Sequence, residues 1–287
     1  MVDLALSVLF SSLIFVVFKL FSKYKIETLY AIISNYFVAC TVGLFFYKGE
    51  VSIVEIPEKP WFWGTFALGF LFIIVFNLMA ATSQRLGVSV ASVATKMSLV
   101  IPVLVGVFLY KEELGGFKIL GILLALAAVY FASIKEKSKA IQNASLLLPF
   151  MTFMGSGVID ASLGYFQKEY ITNLELPIFS ATVFACAALV GLIFILFKSN
   201  KKAFKVNFRN ILGGICLGIP NYFSIFFLLR ALQNESLNSA SVFTINNVAI
   251  VMFSTLLGIL LFKEKISVKN WGGIALAVIS IILVALF

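Results

Sequence analysis

Residues 69–98 read GFLFIIVFNLMAATSQRLGVSVASVATKMS, and residues 218–247 read GIPNYFSIFFLLRALQNESLNSASVFTINN. The two stretches align without a gap. Gly69 falls on Gly218, Gln84 on Gln233, and Ala91-Ser92-Val93-x-Thr95 on Ala240-Ser241-Val242-x-Thr244. After a three-residue insertion, residues 104–125 align onto 256–277, with Gly106/Gly258, Lys111-Glu112/Lys263-Glu264 and Gly121-Ile122/Gly273-Ile274 in register. Apolar helices share Leu and Ala by chance; they do not place Lys-Glu and Gly-Ile in step by chance. The chain is therefore an internal duplication, expected to divide into halves at 1–140 and 141–287.

Outward from the repeat, the chain is too greasy for water. Of 287 residues, 61% are hydrophobic and 12% charged, and the mean hydropathy is +1.07. A soluble domain has about 45–50% apolar and about 25% charged residues. A bilayer core about 30 Å thick needs about 20 apolar residues per helix. Runs of that kind lie near 3–21, 26–47, 61–83, 88–110 and 115–134, then near 145–166, 177–198, 209–232, 238–262 and 268–287. Backbone groups in lipid must pair within their own segment, so the spans are predicted to be helices. The expected fold is an all-α integral membrane protein of ten transmembrane helices. Five spans per half is an odd number, so the second half enters the membrane inverted. Two inverted halves can exchange conformations around a midplane site, the design of many secondary transporters.

Several function classes fall away. There is no histidine, which removes the usual metal ligand and neutral-pH base. Cys40, Cys186 and Cys216 lack metal or disulfide spacing and read as small buried hydrophobes. Without a Walker-type loop, ATP is not the expected driver. No enzyme, cofactor or metal is expected. The net charge of +9 sits in loops, so it calls for no nucleic acid. Met1-Val2-Asp3 leads into the first span without a basic flank, so a retained helix is expected rather than a cleaved signal. Fifteen Lys and Arg lie after spans 1, 3, 5, 7 and 9, and six lie on the opposite side. The positive-inside bias then predicts a multi-pass protein of the cell (inner) membrane with both termini non-cytoplasmic.

The duplication and its motifs resemble the EamA-type permeases of the drug/metabolite transporter superfamily over essentially the whole chain. The motifs are Pro102-(x)9-Glu112-Glu113-Leu114 with Gly121, and Gly258-(x)5-Glu264-Lys265-Ile266 with Gly273. The second copy has Ser254 where the first has Pro102. The resemblance implies transport, more often export, of amino acids and other small metabolites through a cavity lined by the third and fourth helices of each half. Family members often keep cytoplasmic termini; orientation follows Lys/Arg distribution, so the charge reading is kept here.

Lys96 is the sharpest candidate. A charge inside an apolar span costs roughly 2.5–3.5 kcal/mol on insertion scales, so it faces a cavity or partner unless it snorkels or pairs structurally. Ser89, Ser92 and Lys96 share a helix face bordered by Thr95; the repeat carries Asn238, Ser241 and Thr244, with Ile245 in place of the lysine. The cavity should be cationic at one end, suiting a substrate carboxylate or phosphate. Asp160 is the one acid within a span, placed about 10 Å from Lys96 in depth at 1.5 Å rise per residue. It could pair with Lys96, bind a substrate amine or exchange a proton. Asn77, Asn221, Asn246 and Asn247 are deep amides that serve either a ligand or a neighbouring helix. Pro102 and Pro220 mark hinges or tolerated kinks. Glu112 and Glu264, at the turns opening the fifth and tenth spans, read as dipole-favoured caps. Trp61, Trp63 and Trp271 read as interfacial anchors. Gly115, Gly116, Gly121, Gly272 and Gly273 permit close helix contacts, within a monomer or a homodimer. The expected function is a secondary transporter of small polar metabolites, amino acids foremost, with proton coupling open. The alternative is a flippase for a lipid or lipid-linked sugar.

Overall fold

Apolar runs in lipid can satisfy their backbone only by coiling on themselves, and the chain does so throughout. The computed structural model describes residues 2–47, 53–111, 115–133, 139–171, 175–199, 207–232 and 239–286. The first half comprises α1 (Val2–Lys23), α2 (Thr28–Phe46), a 3-10 turn (Ile53–Glu58), α3 (Phe62–Arg85), α4 (Val88–Met97), α5 (Val100–Tyr110) and α6 (Gly116–Ser133). The second comprises α7 (Lys139–Glu169), α8 (Leu176–Ser199), α9 (Phe208–Leu232), α10 (Ser239–Phe262) and α11 (Val268–Leu286). Among the described residues there is no strand. Among the same residues, nine segments are long and apolar enough to cross a bilayer, with Val268–Val284 a shorter apolar helix. The fourth span is broken into α4 and α5, where the sequence predicts one helix over 88–110.

Packing follows the duplication. α2 lies against α9 as α8 lies against α3, and α1 lies against α9 as α7 lies against α3. α1 meets α10 where α7 meets α4 and α5, and α6 pairs with α11 on the axis. Repeated glycines set the crossings. A Cβ on Gly69 would come 2.7 Å from Ala187 N, and one on its mate Gly218 would come 2.8 Å from Asn35 O. At the α6–α11 seam, Gly121 and Gly273 are tight, whereas Gly115, Gly116 and Gly272 meet nothing within 4 Å. Ser280 Oγ donates to Gly121 O at 2.7 Å and Asn270 Nδ2 to Ala132 O at 2.8 Å, tying the seam.

The main core lies between α1, α2, α3 and α8. Buried Tyr36 packs against Phe72, Phe76 and Phe184, its hydroxyl donating to Phe72 O at 2.9 Å. Trp63 and Trp271 are exposed, as expected of anchors, but Trp61 is 0% exposed. It stands edge-on to Phe179 of α8 at 5.3 Å, as part of the main core. Outside, Lys59 Nζ meets Glu175 Oε1 at 2.7 Å and links the two halves.

Candidate site at the broken fourth span

The break has a local cause. Pro102 has no N–H, and its ring crowds the carbonyl four residues back, which is Ser98 O. The chain therefore tightens: Ile101 N donates to Ser98 O at 2.9 Å and Val103 N reaches Leu99 O at 3.4 Å. α4 ends at Met97 and α5 begins at Val100, with Ser98 and Leu99 between them. Both residues keep right-handed helical dihedrals, so the span tightens by one 3-10 turn here rather than unwinding.

Charged side chains stand at this break. Asp160, on α7, accepts from Ser98 Oγ at 3.2 Å; the same hydroxyl lies 2.6 Å from Thr95 O. Lys96 and Asp160 interact electrostatically. Among the described residues, however, neither a salt bridge within 4.0 Å nor a hydrogen bond occupies Lys96 Nζ. Lys96 is half-buried and Asp160 exposed. Around Asp160, Gly157 presses on Ile101 one turn before, while Gly164 one turn later meets open space within 4 Å. The two halves of the span differ in the same sense. In α4, Val88, Ala91, Ser92, Val93 and Met97 are fully buried; in α5, residues 101–105 are partly exposed and Phe108 is 83% exposed.

The other candidates are distributed as follows. Among the described residues, Thr95 Oγ1 is buried without a hydrogen-bond partner, as are Asn246 Oδ1 and Ser156 Oγ, the latter one turn before Asp160. Asn247, next to Asn246 on α10, is half-buried. Ser92 Oγ donates to Ser89 O at 2.9 Å and is wholly buried. Asn77 Nδ2 donates to Ile73 O of its own helix at 2.7 Å. Asn221 Nδ2 donates to Asn35 Oδ1 at 3.2 Å and ties α9 to α2. Pro220 lies inside α9, which continues through it. The Thr244 side chain and Glu112 lie outside the described residues. The structure thus gathers Lys96, Thr95 and Asp160 at one break and adds Ser98, whose only sequence signal was its place beside Lys96.

Glu264 caps a helix, but not the one it opens. Its carboxylate accepts from Val88 N at 2.7 Å, Ser89 Oγ at 3.1 Å and Ser89 N at 3.5 Å, and so closes the first turn of α4. The N-cap residue there is Gly87, which has no side chain to offer. Among the described residues no group of three or more His, Cys, Asp or Glu could hold a metal ion.

Comparison with known proteins agrees with this architecture. A model of the EamA-like transporter family matches residues 3–134 and again 147–286. An uncharacterized protein of Haemophilus influenzae is 28% identical over 281 residues, spanning 95% of this chain and 93% of the relative. A solved crystal structure of a protein superposes with a TM-score of 0.58 at 16% identity, over 98% of this chain and 97% of the other, a likeness of fold.

Proposed function

The chain belongs to the EamA-like transporter family, whose members are membrane transporters, and on that premise we propose that it is a secondary active exporter of small polar metabolites, amino acids foremost. The observation that carries this reading is the broken span. It holds an ammonium that, among the described residues, has no hydrogen bond and interacts with a carboxylate, inside a protein otherwise built of apolar helices. A zwitterion's carboxylate would take Lys96 Nζ, and its amine would take Asp160. Each end then gains a charge-assisted bond worth about 1.5–3 kcal/mol. Thr95 Oγ1 and Asn246 Oδ1 supply further unpaired polar atoms for the body of the solute. Asp160 is also the group suited to exchange a proton during the cycle. Alternating access would proceed by exchange of conformation between the inverted halves. Fifteen of the 22 Lys and Arg on one face support placement in the cell membrane with both termini non-cytoplasmic.

The test is counterflow of labelled amino acids and other metabolites in proteoliposomes holding wild type or Lys96→Ala. Uptake by wild type that falls at least tenfold in the variant supports the reading; equal uptake removes Lys96 from the path. A flippase for a lipid or lipid-linked sugar is the second reading. An apolar cleft of about 690 Å³ between α1, α10 and α11, lined by Leu4, Val8, Met252, Phe253 and Trp271, favours it. Silence across the metabolite panel with movement of labelled phospholipid between leaflets would select it.

A further inference from the structure

α4 is a ten-residue rod with an irregular turn at each end. At one end is the Ser98–Leu99 break imposed by Pro102. At the other is Gly87, whose φ of +127° few residues other than glycine adopt. The first amides of any helix lack partners within it. Those of α4 find theirs on the opposite half of the molecule, 176 residues along the chain, in the Glu264 carboxylate.

That contact is built from both sides. α10 ends with Lys263 in the left-handed region at φ +53°, its N–H closing on Ile259 O at 3.0 Å. Glu264 N reaches back to Gly258 O at 3.2 Å, which fixes where the side chain starts. A Cβ on Gly258 would come 2.6 Å from Glu264 Oε2, and one on Gly87 would come 2.8 Å from it. Two glycines, one from each half, therefore form the slot. The anion also sits at the positive end of α4, where a helix favours negative charge. Lys19, Arg85 and Lys265 line the same cavity of about 270 Å³, at the end of the bundle opposite the termini. On this side most of the span is buried; beyond the break most of it is partly or fully exposed.

We propose that Glu264 is the latch of the gate at this end: a positioning residue that pins α4, and with it Lys96 two turns on, and that must let go of Val88 and Ser89 for the site to open here. α4 then swings on the Leu99 break, exposing the face now buried between α10, α7 and α6. The inference rests on the transport reading only for its second measurement below.

The first measurement is independent of any substrate. In a background with Cys40, Cys186 and Cys216 replaced by Ala, Ala91→Cys, at a position 0% exposed in this structure, is labelled with a membrane-impermeant maleimide from the Glu264 side. Loss of one charge-assisted cap shifts the closed–open balance about tenfold. Glu264→Gln should therefore raise the labelling rate about tenfold, and Glu264→Asp should restore much of the protection. Unchanged labelling in a folded Glu264→Gln protein would overturn the proposal. The second measurement does not depend on that variant folding. Ser89→Cys and Glu264→Cys are joined by a short bifunctional methanethiosulfonate, which should stop transport until a reductant is added. Transport that continues across the closed link would show a static contact and equally overturn the latch. Silence even in the reduced form, with labelling behaving as expected, would instead count against the transport substrate.

Discussion

Gly273→Ala tests the seam on which the two halves meet. A Cβ there would lie 2.9 Å from both Ala132 Cα and Phe131 C, and closer still to Ala132 N. Ordinary contact begins near 3.4 Å, so α11 must retreat from α6 by about 0.5 Å or more. The neighbours are backbone atoms and cannot rotate away. Overpacking of this kind costs about 1–3 kcal/mol. The retreat also stretches the bonds from Ser280 Oγ to Gly121 O and from Asn270 Nδ2 to Ala132 O, each worth about 0.6 kcal/mol on average within membranes. Together these give a loss of about 2–4 kcal/mol. At about 2–4 °C per kcal/mol for a chain of this size, the melting temperature in detergent should fall by about 4–16 °C. The control is one residue away: Gly272 has no atom within 4 Å of an added Cβ, so Gly272→Ala should melt with wild type or slightly above it. Melting is followed by the loss of the monodisperse peak in size-exclusion chromatography after heating. Equal behaviour of the two variants would refute the claim that backbone contact, rather than helix composition, sets this seam.

Three further outcomes are expected. Asn221→Ala removes the bond to Asn35 Oδ1 and should cost about 0.6–1.7 kcal/mol in thermal stability while leaving transport KM unchanged; a raised KM would place Asn221 in the site. Pro102→Ala restores an N–H able to bond Ser98 O, so melting should hold or rise while turnover falls as the break straightens; unaltered turnover would deny the break a role. The hydrogen bond to Glu175 holds the Lys59 ammonium above its ordinary pKa of 10.5. A cation stabilised in the folded state contributes fully below its unfolded value and is lost as pH rises through the folded one. The melting difference between wild type and Lys59→Gln should therefore stay flat from neutral pH up to 10.5 and shrink above it. A difference that already fades near neutral pH would contradict the assignment.

Much of the architecture was legible because two periodicities survive in the residues themselves. Apolar run length is set by bilayer thickness, which any membrane helix must match, so nearly every span lies within a few residues of its expected limits. The duplicated Lys-Glu and Gly-Ile pairs mark turns and crossings, where substitution is least tolerated. The glycines show the limit of that legibility: five were equivalent as letters, yet only Gly121 and Gly273 touch a neighbouring helix. Trp61 was misplaced for a related reason, since nearness to a span end does not say whether another helix packs against it.

What the sequence determined by itself was the solvent, the number of spans, the inversion and the presence of Lys96 and Asp160 inside the apolar segments. These follow from composition and local spacing, which act within one helix. Only the tertiary structure decided that the fourth span tightens into a turn at Ser98–Leu99, and that Ser98 stands between Thr95 O and Asp160. Only the tertiary structure, too, carried Glu264 past its own helix to the first turn of α4. A proline fixes where a hydrogen bond is lost, but neighbouring helices determine how the freed groups are satisfied. A carboxylate's partner is likewise chosen by which amides lie unpaired within reach after packing, and that is a property of contacts between residues far apart in the chain.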